Sequence, residues 1–312
     1  MTNLGITYLE RHKYQEALPS LEKAASLAPD DASCQVRIGQ AYLNLEQDDK
    51  AMAAFEKAIK ISATPSIWND IAYQLALKGS HLDLARRYAE SAVSGTAARL
   101  RNVSLSQLSQ RDLGLVISLG SYWDTLGWVA FSEGKLDLAE TYVSAAWQLG
   151  RRGDEGDHLG QIYEKQGKKQ EAERMYALAL NARRPEPETR ARLAALVGGE
   201  NKVDAAVEEH RTDLHQERTF KMANSSKLEG SADFFILQGV GPDLGAILED
   251  VAFVNGNEKL KALTDEVRSA KLSQKFPEQE PVKIVRRGIL SCKANSDCEF
   301  ELMLPDDVRS VD

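Results

Sequence analysis

The chain has 312 residues, 43% of them hydrophobic, and a formal net charge of −8, enough for about two domains with real cores and no sign of general disorder. An acidic balance argues against nucleic acid as the main partner, because phosphate binding needs a concentrated basic face. No apolar run approaches the ~20 residues of a membrane span, and the longest, Leu113 to Leu119, is far too short.

From its first residues the chain repeats a helical hairpin. A small residue recurs at Gly5, Gly39, Ala72, Gly127 and Gly160, at spacings of 34, 33, 55 and 33 residues. Each is followed, in a second helix, by an apolar triplet: Ala17-Leu21-Ala24, Ala51-Phe55-Ala58, Ala85-Ala89-Ala92, Ala139-Val143-Ala146 and Ala172-Tyr176-Ala179. Residues 120–149 hold the fullest copy, with Trp123, Leu126, Gly127 and Ala130 on one helical face and a turn at Gly134. One such hairpin cannot bury its own apolar stripe, so copies must stack, and small residues are needed where helices approach closely.

The pattern resembles the tetratricopeptide repeat family, in which W-x-x-L-G-x-x-Y is followed by A-x-x-x-F-x-x-A and a proline. Trp68-Ile71-Ala72 and Trp123-Leu126-Gly127 match the opening; Leu4-Gly5-Tyr8, Ile38-Gly39-Tyr42 and Leu159-Gly160-Tyr163 match without the tryptophan; Pro29 and Pro65 mark stops between units. Two departures stand out. The first copy lacks the start of its first helix, so the chain reads as a fragment or shortened frame beginning within a repeat, and no export signal can be read from its N-terminus. The spacing of 55 carries about 21 extra residues, an inserted helical segment at about 95–119. Within it Ser109 and Asp112 have capping-box-like spacing with Asp in place of Glu or Gln, which predicts a long helix running into Tyr122.

In such a solenoid the first helices line the concave face, where ligand specificity sits. By the resemblance, inward positions map to Val36, Gln40 and Leu43; Asn69, Tyr73 and Leu77; Asp124, Trp128 and Phe131; and Asp157, Gln161 and Glu164. These positions do not supply the cluster of Lys, Arg and Asn with which some relatives grip a peptide C-terminal carboxylate, which argues against a chaperone-tail clamp. Tyr73, Trp128 and Phe131 read either as a docking surface or as packing against the insertion or the C-terminal domain.

After the fifth copy, Pro185-Glu-Pro-Glu-Thr opens a helix that Gly198-Gly199 ends, and a further helix is expected from Val203 to about Leu214, capping the solenoid. Residues 215–230, with Asn224-Ser225-Ser226, read as a linker. The expected division is therefore a helical solenoid over 1–214 and a small α+β domain over 231–312. In that domain Ala232–Leu237 and Ile247–Val254 predict two strands, Leu260, Leu263, Val267 and Ala270 a helix, and Lys283–Ser291 and the alternating residues from Cys298 to Leu304 two more strands. The predicted order is ββαββ, an antiparallel sheet with one helix on its apolar face.

The stretch from Ile247 to Ile284 is similar to the C-terminal domain of TonB-like proteins: a strand at Val251–Val254, a turn at Asn255-Gly-Asn, a helix over Leu260–Ala270, and the step Phe276-Pro277. The family's membrane anchor and proline-rich spacer are missing, so the resemblance implies strand addition at an open sheet edge rather than energy transduction. Cys292 and Cys298 flank a five-residue loop between the last two strands, within reach of a disulfide, which would imply an oxidising compartment such as a periplasm. A free buried pair and half of a metal site are the alternatives, the latter disfavoured because no His or further Cys lies near.

No Gly-rich phosphate loop, H-E-x-x-H, C-x-x-C or G-x-S-x-G occurs, the five histidines are scattered, and Asp70 and Asp124, which follow tryptophans in their repeats, read as helix-packing groups. Cys34, in a repeat helix, reads as buried and inert. The expectation is a non-enzymatic scaffold or adaptor that needs no cofactor or metal, binds a protein or peptide partner in its groove and resides in the periplasm or cell envelope, with the cytoplasm as the alternative. The competing reading is the C-terminal accessory region of a longer bacterial envelope enzyme, because longer bacterial proteins that the chain resembles carry a transglutaminase- or protease-like domain ahead of the repeats.

Overall fold

The structure is a computed structural model that describes residues 2–224, 227–241, 245–270, 272, 275–277, 281–294, 296–308 and 311, without side chains at 245 and 246. It divides into two compact units, Met1–Gly95 with Trp128–Gly134, and Thr96–Gly127 with Lys135–Asp312. Five helix pairs come first: α1 (Thr2–Glu10) and α2 (Tyr14–Leu27), α3 (Ala32–Asn44) and α4 (Asp48–Ile61), α5 (Pro65–Lys78) and α6 (Leu82–Leu100), α7 (Gln110–Ser132) and α8 (Leu136–Gly150), and α9 (Gly153–Lys165) and α10 (Lys169–Asn181). Among the described residues no helix is long and apolar enough to cross a membrane.

Each hairpin turn contains a residue in the left-handed region: His12 (φ 55°), Glu46 (60°), Gly79 (68°), Gly134 (77°) and Gly167 (78°). These positions repeat the spacing of the small residues seven places upstream, so the whole hairpin, turn included, is one structural unit copied five times. Glycine carries this conformation without the Cβ clash that His12 and Glu46 must tolerate.

The small residues mark the closest helix approach within each hairpin. A Cβ added at Gly127 would lie 2.5 Å from Val143 Cγ2; one at Gly5 would run into Leu21, one at Gly39 into the Phe55 ring, and one at Gly160 into the Tyr176 ring. Leu21, Phe55, Val143 and Tyr176 are all essentially inaccessible to solvent. The third copy has Ala72 at this position, and its triplet carries Ala89 where the others carry a large residue; both are fully buried. The copy with the larger residue at the first position thus carries the smaller one at the second.

The insertion lengthens two helices. α6 runs on to Leu100, and α7 begins at Gln110 and continues through Tyr122. At its start Asp112 Oδ2 accepts from the Ser109 backbone N–H at 2.9 Å and from its hydroxyl at 2.6 Å, satisfying groups a helix terminus leaves open.

In the second unit, α11 (Thr189–Val197) follows the last hairpin, and the single helix expected from Val203 to Leu214 is two, α12 (Val203–Glu209) and α13 (Asp213–Gln216). Leu193, Val203 and Ala206 cover the Tyr176 end of the helical core. The sheet is antiparallel and has five strands, β1 (Thr219–Met222), β2 (Gly230–Gly241), β3 (Gly245–Gly256), β4 (Val282–Cys292) and β5 (Cys298–Leu302), in the order β1-β5-β4-β2-β3. The four-stranded ββαββ order is therefore corrected to βββαββ. The added strand, β1, falls inside 215–230, the stretch read as a linker; Ser225 and Ser226 of that stretch lie outside the described residues. The helix expected over Leu260–Ala270 is a 3-10 turn (Glu258–Leu263) running into a short α14 (Thr264–Arg268), and Leu260, Leu263 and Val267 still pack on Phe234, Ile236 and Phe300. Of the TonB-like stretch, Lys271, Ser273, Gln274 and 278–280 lie outside the described residues.

Gly160→Ala and Gly114→Ala should shift stability in opposite directions. The first drives a methyl into the Tyr176 ring, costing about 1–3 kcal/mol as overpacking, offset by up to about 1 kcal/mol of helix propensity. Nothing lies within 4 Å of a Cβ at Gly114, in the first turns of α7, so that variant should gain up to about 1 kcal/mol. Denaturant midpoints measure both, and equal shifts would contradict the close approach.

Candidate docking cleft

In the first unit, α1, α3 and α5 together line a cleft of about 340 Å³. Ile6 and Leu9 from α1 and Leu77 from α5 are its apolar lining, and Leu77 remains 51% exposed. Its walls are amides and cations: Gln40, Asn44 and Gln74, with Arg37 on α3 and Lys78 at the end of α5. Glu10 is the acidic residue of the lining, and His12 Nδ1 is 2.8 Å from the Tyr14 hydroxyl at the rim. Lys78 pairs with Glu46 at 3.7 Å, but both side chains are open to water, so that pair holds the lysine only weakly.

Of the positions expected to point inward, Gln40 and Leu77 line this cleft. Asn69 is buried beside Asp70, whose carboxyl is pushed above its ordinary range by burial, against the hydrogen bond from Asn69 and the charge of Arg37. Tyr73 is half-buried. Trp128 and Phe131 stack with ring centroids 4.7 Å apart, and Trp128 is buried. Arg37, Asn44, Gln74 and Lys78 also line the cleft and are not among the expected positions. Arg37 lies next to Val36 in sequence and Lys78 next to Leu77, so a wider stripe of each first helix would have included both.

In the second unit, the expected polar positions are engaged internally. Asp124, 5% exposed on α7, accepts from His158 Nδ1 on α9 at 2.9 and 3.1 Å. Asp157, 2% exposed, accepts from Thr189 Oγ1 at 2.6 Å, from Gln161 Nε2 at 2.8 Å and from Arg192 Nη1 at 2.8 and 2.9 Å. These bonds tie α9 to α7 on one side and to α11 on the other. The repeat period holds the signal for the first pair: Asp124 stands three residues before Gly127 and His158 two before Gly160, which places them on adjacent helices at nearly the same level.

Around this pair Arg152 reaches Glu155 at 3.2 Å, Asp154 at 3.3 Å and the Ser121 hydroxyl at 3.0 Å. Burial pushes the Glu155 carboxyl well above the carboxylate range in spite of Arg152. For His158, burial works to lower its pKa, but the Asp124 carboxylate, the bond to it, and Asp154 and Asp157 hold it above the ordinary histidine value. Cys292 and Cys298 form a disulfide joining the end of β4 to the start of β5, and Cys34 is free and buried, its Sγ donating to the Leu21 carbonyl oxygen at 3.3 Å. Among the described residues no group of three or more His, Cys, Asp and Glu is placed to hold a metal ion.

Residues 8–71 and 157–191 match models of the tetratricopeptide repeat, so the chain carries these repeats in both units. Among solved structures it is similar to PilW, described as a widely conserved type IV pilus biogenesis factor, at 15% identity over 68% of this chain and 91% of that one, with a TM-score of 0.45. PilF of Pseudomonas aeruginosa is similar at 17% identity over 69% and 90% of the two chains, TM-score 0.43. A chain of the Cut9–Hcn1 hetero-tetramer of the APC/C is similar at 18% identity over 66% and 37%, TM-score 0.41. No curated protein sequence matches the chain.

Because the folded-state pKa of His158 is raised, its stabilising contribution is full below the unfolded value, about 6.5, and is lost as pH rises through the folded value. Glu155, also raised and in part by the Asp124 charge, acts in the same direction, so removing that charge lessens its contribution too. Asp124→Asn keeps the shape and removes the charge, so stability of the natural protein should fall more steeply than that of the variant between about pH 6 and pH 9. Urea midpoints across this range give the two slopes; parallel slopes would contradict the pairing.

Proposed function

We propose that the protein is a non-catalytic adaptor whose repeats hold an extended peptide segment of a partner protein, and that the cleft between α1, α3 and α5 takes the part of the segment that bears a carboxylate. The observation that carries this reading is that Arg37, Lys78 and three amides line one cleft with the exposed Leu77, against a single acid, Glu10, in a chain whose net charge is −8. The apolar lining gives area, the amides engage a peptide backbone, and the two cations select for negative charge. Tyr73 and Phe131, both half-buried, extend the docking surface within the same unit, with Trp128 stacked on Phe131, whereas Asp124, Asp157 and Gln161 fix helices of the second unit.

The sheet is proposed as a second contact site of TonB-like type. Support comes from β3, which is twelve residues long, pairs with β2 alone among the described strands, and so carries a free edge of backbone donors and acceptors. The Cys292–Cys298 disulfide supports residence in an oxidising compartment, the periplasm or cell envelope of a bacterium, over the cytoplasm.

Peptides selected on this protein from a displayed random library should be enriched in Asp, Glu or a free C-terminus. Their binding should weaken with added salt and be lost in Arg37→Glu and in Leu77→Asp. Selected peptides that bind both variants as tightly as the natural protein would contradict the cleft. Intact-mass measurement of unreduced protein from its native host should show Cys292 and Cys298 bonded; two free thiols would remove the support for an oxidising compartment.

A further inference from the structure

Arg286 lies in the middle of β4, 2% exposed, and its Nε, Nη1 and Nη2 all lack a hydrogen-bond partner. On the neighbouring strand β2, Gln238 is 0% exposed, and neither its Nε2 nor its Oε1 has a partner. Ile236 pairs with Arg286 and Gln238 with Ile284, so the two side chains stand on one face of the sheet as diagonal neighbours, within reach of one another's ligand. Four nitrogen donors on one buried face, three on Arg286 and one on Gln238, therefore stand unpartnered, with Gln238 Oε1 as the one unpartnered acceptor among these atoms.

The surrounding charges deepen the deficit. Arg286 feels Arg151 and Arg218, both cations. The acids that serve those two are already taken: Glu217 bonds Arg151 and Arg174, and Glu301 meets Arg218 at 2.8 Å. Arg151 is itself buried and keeps an unpartnered Nε. Burial first, then these two cations, push the Arg286 pKa down to about 9, which still leaves the side chain charged at neutral pH. A buried guanidinium with no counter-charge is strongly destabilising, and folded proteins supply one.

We propose that Arg286 and Gln238 form a buried binding site for a small inorganic oxyanion, with Arg151 adding positive potential beside it. The planar guanidinium fork donates to two oxygens of the anion in parallel, and Gln238 Nε2 donates to a third. The anion neutralises Arg286, which has no ion-paired acid among the described residues, and it links β2 to β4 on the face they share. The site is independent of the docking cleft, which lies in the other unit.

Inorganic phosphate is the probe, titrated calorimetrically into the whole chain at constant ionic strength set with gluconate, with melting temperature followed in parallel. The natural protein should bind phosphate saturably at one site, and its melting temperature should climb with the logarithm of phosphate once the site fills. Arg286→Met should abolish both effects, and Gln238→Leu should weaken binding about tenfold, the worth of one hydrogen bond to a charged group. Absence of saturable binding to the natural protein, as when water alone fills the site, would overturn the proposal. So would equal binding by Arg286→Met. Should Arg286→Met fail to fold, the titrations of the natural protein and of Gln238→Leu decide the matter.

Discussion

The structure depends on how closely the two helices of each hairpin approach. Where the first helix has no side chain, at Gly5, Gly39, Gly127 and Gly160, the second fills the space with Leu21, Phe55, Val143 or Tyr176, and each large residue is buried against backbone rather than another side chain. Ala72 and Ala89 solve the same volume problem with a methyl on each side. Interiors packed at crystal density leave no slack for a second large group at such a point. The helix pair is thereby held at one separation, and the outward face of each first helix is placed repeatably.

That placement is what makes a cleft from residues far apart in sequence. Gln40 and Leu77 are brought together because α3 and α5 each begin a hairpin and pack at the same level of their repeats. In the second unit another first-helix position, three residues before the small residue, carries buried polar groups that link successive helices: Asp124 to His158, and Asp157 to Thr189 and Arg192. Removing one partner of such a bond leaves a buried charge or acceptor unsatisfied, which costs more than the bond contributes. The equivalent positions of the first unit, Val36 and Asn69, are buried as well.

Much of this was legible in the sequence, for a physical reason. The spacing of small residues is a packing signal, and packing recurs with the repeat, so the five hairpins and their turns could be placed from Gly5, Gly39, Ala72, Gly127 and Gly160. Four strands of the sheet showed alternation or solid apolar runs. β1 did not, because Thr219–Met222 is four residues long, buries only Met222 fully, and owes its strand form to partners about eighty residues away, Cys298 to Glu301. The cleft was half legible: Gln40 and Leu77 follow from the repeat, whereas Arg37 and Lys78 flank the stripe that the resemblance marks. The bonds of Asp124 and Asp157 were hidden because a carboxylate facing a partner and one facing a neighbouring helix occupy the same sequence position. Nothing in the sequence around Arg286 marks it as buried; its 2% exposure in β4, beside β2, is seen only in the structure.

The matched volumes can be tested by exchanging one solution for the other. A double-mutant cycle on Gly39 and Phe55, read by denaturant midpoints, compares Gly39→Ala in the natural background with the same change in Phe55→Ala. The account predicts that Gly39→Ala destabilises the natural protein but is neutral or stabilising beside Ala at 55, with a coupling of about 1–3 kcal/mol, reproducing the pairing of Ala72 with Ala89. Equal destabilisation by Gly39→Ala in both backgrounds would contradict it.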